Sequence, residues 1–249
     1  MKDLIEFLSG YEPKYPGIVR GYSLEEIERL EEVLGRALPP AQRDFFSTAA
    51  ANLGFSHEDL TFDLDEVMQV VTEKRDTMPP TFSPLAMDLS PTQADYFLDL
   101  GRPAAGRPLG EDGAVVCSAA GNSDFEDLWY VYPSLRDMLF SWGFDRVRML
   151  TLSHRCSVHW QQPDFADPST APTMEMLGQI LENLGLRPLH VTGPTMPLYD
   201  RGDCAVSVTR SMNGPTFSMH LAATDETEAL RIAEIACDQM AGQGKLRLR

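Results

Sequence analysis

Between Met78 and Pro84 the chain carries three prolines in seven residues, and the sequence reads differently on the two sides of them. Proline fixes φ and removes an amide donor, so Pro79, Pro80 and Pro84 form a boundary that a helix does not cross. Upstream, apolar residues recur at helical spacing. Ser23 is an N-cap residue with Glu26 three positions on, and Ile27, Leu30, Val33 and Leu34 follow as one apolar side, closed by Gly35. Leu38-Pro39-Pro40 makes a turn, and Pro40 starts a second helix that carries Arg43, Phe45 and Phe46. A third helix is predicted over Leu64–Lys74. The residues before Ser23, with Pro13 and Pro16, read as a leader.

Downstream the pattern shortens. Leu85–Leu89, Asp95–Leu100, Pro108–Leu109 and Ala114–Ser118 read as strands, with a turn at Gly110-Glu111-Asp112-Gly113. Ser123 through Leu139 reads as helical in its later part. After Trp142, strands are predicted at Arg146–Leu152 and Ser157–Gln161, followed by a proline-rich connector from Pro163 to Pro172. A helix over Thr173–Leu184, strands near Leu189–Thr192, Ala205–Arg210 and Phe217–Ala222, and a helix from Glu226 to Met240 capped by Asp225 complete the chain. Strands cluster instead of alternating with helices, which predicts an α+β fold. Residues 1–145 form one domain in this reading, and 146–249 a smaller C-terminal α-β-β-β-α region.

Charge narrows the range of functions. The chain has 37 acidic and 21 basic residues, a net of −16. Up to Leu150 there are 26 acids and 13 bases, and beyond it 11 and 8, so the acidity belongs to the first part. Such a domain repels nucleic acid and anionic membrane and attracts basic partners in a salt-sensitive way. Acidity that serves solubility alone is the competing explanation. No run of about 18 apolar residues suggests a membrane span. Met1–Leu8 is too short and too interrupted, by Asp3 and Glu6, to serve as a signal peptide. Cys117, Cys156, Cys204 and Cys237 form no CxxC pair, so buried free thiols and a cytoplasmic location are expected.

Candidate chemistry is sparse. His154, Cys156 and His159 are the densest set of soft metal ligands, but strand spacing sends His159 to the face opposite the other two. No metal and no cofactor are expected. Asp200-Arg201-Gly202-Asp203 reads as a hairpin turn in which Gly202 takes positive φ. Phosphate loops, GxSxG elbows and HExxH motifs are absent, so no catalytic residues are assigned. Trp129, Tyr130 and Tyr132 lie beside an acidic run, and aromatics next to charges are what protein interfaces use, although they also fill ordinary cores. Trp142 is assigned to the core. The partner-binding candidates are Asp124, Glu126 and Asp127, with Asp95 and Asp99.

From Ser23 to Trp142 the sequence resembles the SMI1/KNR4 (SUKH) superfamily. The resemblance rests on Ser23-Leu24-Glu25-Glu26-Ile27, Leu34-Gly35, Leu38-Pro39, Arg43-Asp44-Phe45-Phe46, the segment Asp95–Leu100, Pro108-Leu109, Gly113–Val116, and Tyr132 through Trp142. Asn52-Leu53-Gly54 stands where the family has an Asn-Gly-Gly-like segment. The resemblance implies a non-catalytic binding fold and, for a bacterial member, an immunity protein that blocks a cognate polymorphic toxin of nuclease or deaminase type. The expected partner is therefore a basic toxin domain. A regulatory scaffold with a housekeeping partner, and an enzyme with an unrecognised site, are the alternatives.

Overall fold

The chain enters its structure through a helix, α1 (Lys2–Ser9), where the sequence suggests only a leader. Leu4 and Leu8, one turn apart, are fully buried, and Phe7 packs on Phe140 at 5.4 Å between ring centroids. The computed structural model describes residues 1–55, 60–90, 94–104, 108–119, 125, 127–161, 173–213, 216–240 and the backbone of 244–248. They fall into two compact units, Met1–Trp142 and Gly143–Arg249. Both combine helices with an antiparallel sheet, and the fold is α+β.

In the first unit, α2 (Leu24–Leu34) begins at Ser23. The Ser23 hydroxyl accepts the Glu26 amide, and the Glu26 carboxylate accepts the Ser23 amide at 2.8 Å. The helix ends at Gly35, whose φ of 76° lets its amide donate back to Glu31 and Glu32. Replacing Ser23 with alanine is expected to destabilise this unit by about 1 kcal/mol and replacing it with glycine by a few tenths. A urea midpoint series separates the two; equal losses would remove the capping hydroxyl from the account.

The second helix, α3 (Pro40–Thr48), buries Phe45 and Phe46. Just before α2, the chain crosses so close to α3 that a Cβ on Gly21 would lie 2.1 Å from the Ser47 carbonyl. Only glycine fits there. After β1 (Leu60–Thr61), α4 (Leu64–Lys74) is capped by Asp63, which accepts the Asp65 and Glu66 amides.

Four strands follow: β2 (Phe82–Asp88), β3 (Ala94–Pro103), β4 (Gly113–Ala119) and β5 (Leu128–Tyr132). The sheet order is β1-β2-β3-β4-β5. Pro84 lies inside β2, although the proline cluster suggested a strand starting only at Leu85. Two-residue β1 pairs only with Met87 and Asp88, so Pro84 sits where no strand on that side needs its missing amide, next to a register shift between Pro84 and Ala86. Its carbonyl accepts Gln42 Nε2 at 2.6 Å, and Ser83 donates to Gln42 Oε1, which satisfies a buried amide. Pro108 and Leu109 form no strand, and Leu109 is exposed. The unit closes with α5 (Leu135–Gly143).

The second unit opens with a π-helical turn, Phe144–Arg148, and a 3-10 turn, Met149–Thr151, where a strand over Arg146–Leu152 was expected. The buried residues are Phe144, Arg148, Met149 and Leu152, a helical spacing and not an alternating one. Next come β6 (His154–Gln161), α6 (Met174–Asn183), β7 (Arg187–Leu189), β8 (Leu198–Arg201), β9 (Cys204–Arg210), β10 (Thr216–Ala223), α7 (Glu226–Gln239) and β11 (Gly244–Leu248). The sheet order is β11-β6-β10-β9-β8-β7. β6 runs antiparallel to both neighbours, so β10 and β11 are parallel and joined by α7, a split βαβ unit. α6 and α7 cover one face, where Val158, Trp160, Val206, Met219 and Leu221 meet Leu177, Leu181, Ile232 and Ala233. The predicted connector from Pro163 to Pro172 lies outside the described residues.

Candidate functional site

The expected acidic surface is only partly where the sequence put it. Asp127 is exposed, and Asp124 and Glu126 lie outside the described residues. Asp95 and Asp99 point inward, at 7% and 5% exposure, and are removed from the surface patch. Lys74 Nζ sits 3.0 Å from Asp95 Oδ2, and Asp99 accepts the Tyr130 hydroxyl at 2.8 Å and the Gly101 amide at 2.9 Å.

The reason lies in strand periodicity. Asp95, Phe97 and Asp99 alternate along β3 and so share one face, and Phe97 belongs to the apolar cluster formed with Val70, Phe82, Val116 and Phe125. One sequence signal points to this arrangement. Val67, Val70, Val71 and Lys74 fall on one stripe of α4, so Lys74 occupies a buried helical position that calls for an acidic partner.

Phe125 itself is buried in this apolar cluster. Its backbone takes φ 56°, and its ring meets Phe82 and Phe97 edge-on at 5.5 and 5.2 Å.

A cleft of about 340 Å³ in the same unit is lined by Met1, Asp3, Pro40, Ala41, Asp44, Glu111, Asp112 and Arg136. Asp112 is the buried member. It accepts the Gly113 and Leu135 amides at 2.8 and 3.1 Å, thereby capping α5 from a distant part of the chain. Burial pushes its carboxyl upward, against the opposing pull of those amides. Burial raises the Asp3 carboxyl, but the guanidinium of Arg136, the terminal ammonium and the Leu4 amide together bring it below its ordinary value. Asp44 takes the terminal ammonium. Four carboxylates thus surround one guanidinium and one amine, and the cleft suits a cationic side chain better than an anion. Sequence reasoning missed it because its parts come from α1, α3, the turn before β4 and α5.

Beside β5 lies a second surface. Trp129 is 50% exposed, whereas Trp142 is buried, as expected, and donates to the Tyr132 hydroxyl at 2.7 Å. Trp129 stands opposite Cys117, which stands opposite Tyr96, so the three form one row across the sheet. The guanidinium of Arg102 lies 3.8 Å from the Tyr130 ring centre.

In the second unit, Cys156 is buried against α7 with its thiol 3.8 Å from the Ala229 carbonyl, and His159 occupies the opposite face between Ser157 and Ser218. The strand thus places Cys156 and His159 on opposite faces, as its spacing predicts, and no cluster of three potential ligands occurs among the described residues. The Arg201–Asp203 segment is the hairpin turn between β8 and β9. Gly202 there does not take positive φ, contrary to expectation. Arg201 forks onto Asp203 at 2.7 and 3.0 Å and reaches Glu228, which also holds Arg231. These hydrogen bonds hold the Glu228 carboxyl down to about 2. The turn is held by its own ion pair and tied to α7.

Among the described residues, no helix is long and apolar enough to cross a membrane. No family model and no curated protein matches the chain. A solved structure that it resembles is the NMR structure of PA4090 from Pseudomonas aeruginosa, at 14% identity and a TM-score of 0.27, over 39% of this chain and 96% of that one.

Proposed function

We propose that this chain is a non-catalytic, cytoplasmic protein-binding module whose first unit is of SMI1/KNR4 type. In this reading it acts as an immunity protein that binds and neutralises a basic toxin domain of nuclease or deaminase class. The observation that carries the reading is the placement of charge. Residues Met1–Trp142 hold 25 acids against 11 bases, and Asp3, Asp44, Glu111 and Asp112 converge on one cleft. An enzyme acting on nucleic acid works on a polyanion, and an acidic surface that excludes the polyanion can occupy the enzyme's cationic site. From α2 onward the order of elements, two helices, the short strand β1, a further helix, a strand meander and a closing helix, supports the family resemblance.

The test is capture from native lysate at low salt, followed by kinetics on the captured protein. A single basic protein is expected, toxic when produced alone and harmless when co-produced with this chain. Glu111→Lys with Asp127→Lys is expected to slow association about tenfold or more at low salt, with the difference shrinking as salt rises. A captured protein that is harmless alone overturns the immunity reading, and an association rate indifferent to both charge and salt overturns the acidic surface.

A further inference from the structure

We draw no further inference here: the strongest candidate, the cleft among α1, α3, the turn before β4 and α5 that gathers Asp3, Asp44, Glu111 and Asp112, belongs to the acidic site already described, and among the described residues no buried polar side chain left without a partner lines it to point to a ligand of its own.

Discussion

Replacing Lys74 with methionine is expected to destabilise the first unit by about 3–5 kcal/mol, because it leaves the Asp95 carboxylate buried without its cation. The ammonium and carboxylate are 7% and 9% exposed at the side chain and 3.0 Å apart, and Lys74 Nζ also lies 5.7 Å from the Phe125 ring centre. Methionine preserves most of the volume and a soft contact with the ring, so the loss reports the charge and not a cavity. The double variant Lys74→Met with Asp95→Leu is expected to recover most of the stability, since replacing both members of a buried pair by apolar groups of similar shape is often close to neutral. Amide exchange on α4 and β3 measures both variants. A single variant within 1 kcal/mol of the parent would show that Asp95 finds another partner or water. A double variant as poor as the single would show that the geometry of the pair, and not its uncompensated charge, holds α4 on the sheet.

Asp145 gives the second large effect, and it is one of pH. The residue lies in the π-helical turn with Oδ1 buried and without a hydrogen-bond partner, and burial raises its carboxyl from 3.8 to about 6 despite a hydrogen bond from Ser207. The folded pKa exceeds the unfolded one, so the native state holds an extra proton between pH 3.8 and about 6. Stability from this group is fully present below about pH 4 and falls as pH rises through 6, by up to roughly 3 kcal/mol. Asp145→Asn keeps the shape and removes the charge, and is expected to flatten this slope and leave the variant more stable than the parent at pH 7. Exchange of β9 and β10 amides between pH 4.5 and 7.5 measures it. A variant that retains the parent's slope would assign the pH dependence to another group. π-turns recur at functional positions, and a buried acid left half-satisfied is a cost that an ordinary helix would not carry.

The parts of the fold that follow from short-range rules are the parts the sequence indicates well. Leu64–Lys74 is helical as predicted, because its apolar stripe and polar face leave one consistent period. The Ser23 cap and the Gly35 stop are single-residue chemistry and stand where expected. The sequence reading, helical in the later part of Ser123–Leu139, assigns no strand to Leu128–Tyr132, because a run of five apolar or aromatic residues has no period of its own. What makes it a strand is β4 beside it. The edge strand β11 carries Lys245 and Arg247 among few apolar residues, and its pairing depends on β6, distant in the chain. The candidate surfaces divide in the same way. The acidic character of the first unit is a property of composition, but the burial of Asp95 depends on Lys74 21 residues earlier, and the cleft on four separate segments.

The two sheets differ in how far apart in the chain their neighbouring strands lie. From β2 to β5 each strand pairs with the next in sequence, so every step closes a short loop. In the second unit β6 lies between β10 and β11, and its pairing with β11 joins His159 to Lys245. Loops of that length close slowly, and topology of this kind sets folding rate more than stability does. During synthesis the acidic unit can complete its sheet before the second unit has its central strand covered on both sides. The second unit therefore exposes the unpaired side of β6 for longest, and it is the stretch of the chain with the greatest need of fast folding or of a chaperone.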